Sequence, residues 1–342
     1  MNKAVAGLFL LICMFSHHSA LSQRIGSSSP RSSIYTINKQ YTTVGITVNA
    51  MNYFGDLAPK DQIFSTNLSF TRPSLGIFAT RRFGPRLTVR GSFQWGRLKG
   101  DDFESANPND ELGRFRYVRN LQFRNDIKEL AFTGVIDFAE NLSTYRSRKN
   151  VIPYAFAGFA IFHHNPKALV PEVDVNNGNA PFPNAGEWVA LAPLRTEGKS
   201  YKKVQLAIPF GAGVRFRVSE RVDVSFEIGY RYLFFDYIDD VSGDYVDLGS
   251  LPSDLARALS DRSREVQAVE SGATRQTGVI PNNMESYVST FDGNTYTTIA
   301  GYGREAKDNI RGDKDDKDIY VVTGFHVSYI LRSSRFKRAK FR

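Results

Sequence analysis

Val222-Asp223-Val224-Ser225-Phe226-Glu227-Ile228-Gly229-Tyr230-Arg231-Tyr232-Leu233-Phe234 alternates between two chemistries along its whole length. The even-numbered residues are all apolar or aromatic, and the odd-numbered ones are mostly charged or small. Successive side chains of a β-strand point to opposite faces, so the stretch reads as a strand with one oily and one polar face. A water-soluble sandwich seldom sustains this over thirteen residues. A tilted strand crossing a bilayer needs about 9–11.

Seven further segments repeat the pattern. They are Val44-Ile46-Val48-Ala50, Leu75-Ile77-Ala79, Leu87-Val89-Gly91-Phe93-Trp95, Leu130-Phe132-Gly134-Ile136-Phe138, Val151 to Phe162, Leu206-Ile208-Phe210-Ala212-Val214-Phe216 and Ile319-Val321-Thr323-Phe325-Val327-Tyr329. Lipid offers no partner to backbone N–H and C=O groups, so amphipathic strands persist there only as a closed barrel. The expected fold is therefore all-β: an eight-stranded antiparallel transmembrane outer-membrane β-barrel over residues 41–331. The connections alternate in length. Gly84-Pro85-Arg86, about a dozen residues around Ser143, and Arg217 to Arg221 are short, whereas residues 53–73, 97–128, 163–204 and 236–318 are long. Short periplasmic turns and long extracellular loops are the outer-membrane pattern, and they put both termini in the periplasm. Pro153 and Pro209 interrupt candidate strands; Pro153 lies near a strand start, and Pro209 demands a bulge or a local break. Within the last loop, Ser253 to Glu270 reads as one helix with Leu255, Leu259 and Val266 on a shared face.

Composition agrees with this reading. The 342 residues are 42% hydrophobic and 13% aromatic, with 26 Phe, 16 Tyr, 2 Trp and 27 Gly, a β-rich balance. A mean hydropathy of -0.32, with no apolar run near helix-spanning length after the first residues, excludes a helical membrane protein. Lys3 followed by the apolar Ala4 to Phe15 marks residues 1–22 as a signal peptide, with Ala20 and Ser22 at the positions a peptidase reads. Leu11 and Ile12 ahead of Cys13 are too large for lipoprotein processing, and cleavage before Gln23 removes the chain's one cysteine. The mature protein then has no disulfide and no thiol chemistry. Residues 23–40 form a polar periplasmic leader.

The net charge of +9 is unevenly placed. The last loop, Asp236 to Asp318, holds 17 acids and 9 bases, a net of -8. The tail, residues 332–342, is basic without an acid, and the short turns add Arg86, Arg146, Arg148, Lys149, Arg217 and Arg221. Acidic loops and an exported chain argue against nucleic acid as a partner. The basic rim suits anionic lipid heads or, more sharply, an acidic periplasmic protein. Arg146, Arg148, Lys149, Arg332, Arg335, Lys337 and Arg338 are the candidate contacts.

Catalytic, cofactor and metal sites are not expected. His163-His164 lack a third ligand at metal spacing and point to opposite faces. Asp239-Asp240 with Ser242-Gly243-Asp244 has the oxygen-rich composition of a calcium loop without its spacing, and reads otherwise as aspartates bonding their own backbone. Arg311-Gly312-Asp313 reads as a chance tripeptide in a charged run. No nucleophile–base set, carboxylate pair or phosphate loop stands out. An eight-stranded interior is filled by side chains, and Arg90, Gln94, Asp223, Glu227 and Arg231 would point into it and pair with one another.

Several stretches resemble the PorG-like outer-membrane barrels of the Bacteroidetes type IX secretion machinery. They include Met51-Asn52-Tyr53-Phe54-Gly55-Asp56-Leu57, Thr71-Arg72-Pro73-Ser74-Leu75-Gly76, Gly96-Arg97-Leu98-Lys99-Gly100-Asp101-Asp102, Phe162-His163-His164-Asn165-Pro166, Pro193-Leu194-Arg195-Thr196-Glu197-Gly198, Ile208-Pro209-Phe210-Gly211 and Asp236-Tyr237-Ile238-Asp239-Asp240-Val241-Ser242-Gly243. The resemblance implies a non-enzymatic secretion component that meets a PorK-like lipoprotein and a PorN-like ring in the periplasm. It also implies that proline belongs at position 209. A small porin or ligand-uptake barrel, and an outer-membrane enzyme acting through the long loops, are the alternatives.

Overall fold

Each of the eight alternating segments lies in a strand of the computed structural model, which describes residues 39–58 and 70–331 apart from 143, 277, 308 and 316. In chain order the strands are β1 (Thr42–Phe54), β2 (Arg72–Arg82), β3 (Leu87–Asp101), β4 (Gln122–Asp137), β5 (Val151–His163), β6 (Pro166–Leu169), β7 (Val173–Asp174), β8 (Ala180–Pro181), β9 (Trp188–Ala190), β10 (Val204–Arg217), β11 (Val222–Leu233), β12 (Met284–Val288), β13 (Thr295–Ile299) and β14 (Ile319–Ile330). Short helices α1 (Asp102–Ser105), α2 (Glu111–Arg119) and α3 (Asp254–Ser260) lie in the connections. No helix among the described residues is long and apolar enough to cross a membrane.

Eight strands close on themselves in the order β3-β2-β1-β14-β11-β10-β5-β4, and β3 pairs with β4 to complete the ring. Every neighbouring pair is antiparallel. The alternation sorts as physics demands. Ile77, Phe132, Phe159 and Phe325 are among the most exposed apolar residues, at 62%, 59%, 74% and 59%. Phe78 beside Ile77, Ala131 and Thr133 beside Phe132, and Ala160 beside Phe159 point inward and are buried. This inverted distribution, with apolar side chains outside and charge within, suits a wall surrounded by hydrocarbon. Arg90, Gln94, Asp223, Glu227 and Arg231 are all buried in the lumen, as the sequence predicts.

Short turns join β2 to β3, β4 to β5 and β10 to β11, and β1 begins and β14 ends at the same rim, where Thr43 faces Ile330. The four long connections leave from the other rim. The second is shorter than residues 97–128, because β3 and β4 stay in register as far as Asp101 opposite Gln122. The charged residues that look like loop there are cross-strand partners: Arg97 Nε donates to Asp126 Oδ1 at 2.6 Å.

The expected helix over Ser253 to Glu270 also ends early. Ser253 Oγ caps it by accepting from Ala256 N, but α3 stops at Ser260. Asp261 Oδ1 then accepts from Ser263 N, and Arg311 Nε donates to the Ser260 carbonyl at 3.2 Å, so tertiary contacts replace the next helical turn. Leu259 is buried, while Val266 is exposed.

Pro209 is accommodated by a local break rather than a bulge. Its pairing with Arg231 on β11 is uninterrupted, and on the β5 side Ala207 faces Ala160 and Phe210 faces Ala157, with no partners between and no shift of register. Proline lacks the N–H that side of the ladder needs. The signal peptide, residues 23–38 of the leader and the tail beyond Leu331 lie outside the described residues.

Candidate functional site: a sealed lumen, a folded cap and a basic rim

Inward alternation places arginines from some strands beside carboxylates from others, and together they fill the lumen. Nearest the turns, Arg148 pairs with Asp223 at 2.6 Å and also donates to the carbonyls of Tyr145, Ser219 and Glu220. Asp137 takes Arg82 at 2.6 Å and Arg215 at 3.2 Å. Further along, Glu227 accepts from Arg90 at 2.5 Å and Tyr154 Oη at 2.6 Å, with His326 Nδ1 3.2 Å away. Arg231 and Tyr320 Oη both donate to Glu129, at 3.1 and 2.6 Å. The space left among Thr43, Arg90, Glu227 and His326 is a cavity of about 40 Å³, room for very little solvent.

At the loop end the inward residues turn apolar. Met51, Leu98, Phe123, Ile127, Phe162 and Leu233 pack against Leu57, Ile238 and Val241 from the loops, forming the main core. The last loop is thus a folded cap over the barrel mouth. Single arginines tie it together. Arg119 makes a bidentate pair with Asp102 and donates to the Asp56 carbonyl. Arg311 donates to Glu197 at 2.9 Å and to the Asp240 carbonyl at 2.7 Å. Arg275 donates to the carbonyls of Tyr117, Val118 and Ser263.

Tyr53 Oη lies 2.5 Å from Asp239 Oδ2 and 2.8 Å from Asp318 Oδ1. The two carboxylates thus converge on a single hydroxyl. Burial, followed by the other acids nearby, raises both aspartates well above the ordinary carboxylate range. Asp56 is pushed up to about 7, chiefly by burial and against the pull of Arg119. Asp240 is raised to about 6 by burial, which Arg311 partly offsets.

The oxygen-rich segment at Asp239 and Asp240 is consumed by these bonds. Asp239 Oδ1 accepts from Val241 N, and Asp240 accepts from Thr196 Oγ1 and Tyr201 Oη. Among the described residues no group of acids, histidines or cysteines is arranged to hold a metal. His164 is buried with Nε2 3.0 Å from the Lys202 carbonyl, and burial lowers it to about 4, while His163 is exposed on the opposite face. Arg311 is 2% exposed and Gly312 is buried, so Arg311 is an internal anchor and only Asp313 of the Arg311-Gly312-Asp313 tripeptide is displayed.

The candidate rim divides. Arg146 and Lys149 are exposed, Arg146 only loosely paired with Glu220 at 3.7 Å. Arg148 is 3% exposed and turned into the lumen, so it is a plug of the turn end and not a docking contact; charge counting alone cannot see that Asp223 and four backbone carbonyls draw it inward. Arg332, Arg335, Lys337 and Arg338 lie outside the described residues. The arginines of the cap escaped sequence reading because each acts through segments far away in the chain. Arg311 sits in a tripeptide that reads as chance, and nothing local to it announces a tie between distant segments.

Residues 32–182 match the family described as Domain of unknown function (DUF6089). No curated protein matches the chain. Among solved structures, Neisserial surface protein A is 10% identical with a TM-score of 0.34, over 84% of this chain and 96% of that one. Ail, the attachment invasion locus protein of Yersinia pestis, is 9% identical with a TM-score of 0.34, over 86% and 100%. A major outer membrane protein from Thermus thermophilus is 9% identical with a TM-score of 0.37, over 85% and 99%. At these scores the fold stands on this chain's own strand pairing.

Proposed function

We propose that this chain is an integral outer-membrane barrel, its turns and termini in the periplasm and its cap outside, that serves as a non-enzymatic anchor. The observation that carries the reading is the lumen, packed with ion pairs from Arg148 to Glu129 and closed again by the cap. A cylinder filled in this way does its work through its surfaces. The resemblance of the sequence to PorG-like barrels gives the partner class: the lipoprotein and ring components of a type IX secretion machine, met at the turn side. Arg146 and Lys149, with Arg332, Arg335, Lys337 and Arg338 of the tail, are the proposed contacts, through complementary charge.

The test is affinity purification of the tagged protein from its native outer membrane, with and without residues 332–342. Recovery of the ring proteins, reduced by tail removal and by raised salt, is the expected result. If neither form recovers them, the anchoring role falls; equal recovery by both forms removes only the electrostatic contact. Planar-bilayer conductance addresses the porin reading, and the expected trace is silent. Steady single-channel currents would overturn the sealed-lumen reading.

A further inference from the structure

The outward faces of the two halves of the barrel differ at the loop end. On β1, β2, β11 and β14 the outward residues of that half include Val48, Ala50, Leu75, Tyr232 and Val321, and none is charged. On the contiguous half made of β3, β4, β5 and β10, the apolar belt of Leu130, Ile161 and Leu206 stops at a transverse row. There Trp95, Lys128, His163 and Val204 stand side by side in register. Two residues further along, about 7 Å up the strands, Arg97 faces Asp126. Beyond that, Arg124 faces Lys167 of β6, with its guanidinium 3.9 Å over the Trp188 ring.

We propose that this strip is a binding site for the phosphate-bearing headgroup of an outer-leaflet lipid. It rests on the membrane placement proposed above and not on the secretion role. Depth is the first argument: the basic residues begin where the apolar belt ends, the level at which a lipid exposes its phosphates. Charge is the second. Arg97, Arg124, Lys128 and Lys167 meet two acids, Asp126 and the nearby Glu270, leaving a net of +2 on the strip. Nearby Lys99 is excluded because Glu104 and Glu270 engage it, at 3.4 and 3.0 Å. Chemistry is the third. A guanidinium flattened on the Trp188 indole is held in place; its Nε is buried without a hydrogen-bond partner, which leaves the two terminal nitrogens to meet a ligand. That fork suits phosphate oxygens, Lys128 adds a point charge, and two tryptophans at the boundary suit the headgroup layer. The acyl chains would lie along Leu130, Ile161 and the largely exposed Phe159.

The experiment uses the whole protein in neutral detergent, titrated with diphosphoryl lipid A and read by native mass spectrometry. Comparators are dephosphorylated lipid A and inorganic phosphate as competitor. The expected result is a lipid adduct that weakens with salt and is lost by roughly one to two orders of magnitude in the triple variant Arg124→Gln, Lys128→Gln, Lys167→Gln, since each basic group near an anionic surface shifts affinity several-fold. The double variant Arg146→Gln, Lys149→Gln on the opposite rim should bind as the parent does. Heat-modifiable gel migration checks barrel closure in each; if the triple variant does not close, Lys128→Gln with Lys167→Gln replaces it and is expected to weaken binding in the same direction. Equal binding by a closed variant and the parent would overturn the proposal. So would equal binding of dephosphorylated lipid A, or displacement of the lipid by equimolar inorganic phosphate.

Discussion

In the wall, charged pairs such as Arg90–Glu227 join strands that backbone ladders already hold; in the cap, pairs such as Arg311–Glu197 are what bring distant segments together. Among its described residues the last connection contributes α3, a short 3-10 turn at Leu248–Ser250 and the β12–β13 hairpin as regular structure. Its remaining backbone groups find partners through arginine side chains, Asx turns and isolated bridges. Loss of one charge should therefore be a local injury in the wall and a collapse of organisation in the cap.

The largest expected effect is that of Arg311→Ala. It strands Glu197 in the interior and frees the Ser260 and Asp240 carbonyls, at a cost of about 3–5 kcal/mol. Limited proteolysis should cut the cap between residues 240 and 311 while heat-modifiable migration of the barrel persists. Simultaneous loss of both would show that wall and cap are one cooperative unit. Arg148→Ala comes next, at about 3 kcal/mol, because it leaves the buried Asp223 carboxylate without its partner. Its midpoint of unfolding should fall with no change in cap proteolysis.

Two single substitutions separate opposing pH dependences of the cap. The carboxyl of Asp56 is raised on folding, so its contribution is full below about pH 4 and is lost as pH rises towards 7. His164 is lowered to about 4, so its contribution is full above the ordinary histidine value and is lost as pH falls towards 4. Protease resistance of the cap should decline less on the alkaline side in Asp56→Asn, and less on the acid side in His164→Asn. Matching profiles in both variants would mean other groups govern the response. Smallest is Ser253→Ala, which removes the α3 cap for about 1 kcal/mol and should show only as faster amide exchange within 254–260.

The wall was legible in the sequence because a strand's periodicity is local: Asp223 and Phe226 declare opposite faces without reference to any other segment. The charge-rich ends of β3 and β4 were not, since Arg97 and Asp126 make sense only as partners across two strands. The same reason hid the cap. Ser253 announces where α3 starts, but its stop is decided by Arg311, many residues downstream. At the rim, a count of positive charge treated Arg146, Arg148 and Lys149 alike, and only the three-dimensional position of Asp223 separates the inward one.

Pro209 gives the cylinder a seam. Of the eight pairings around the ring, the one between β5 and β10 alone skips partners, at Ile208 and Pro209. A tensile load spreads evenly over an unbroken lattice and concentrates at a gap, so a molecule pulled by one end should part first along this line. Single-molecule extraction from a bilayer would register it as the weakest rupture.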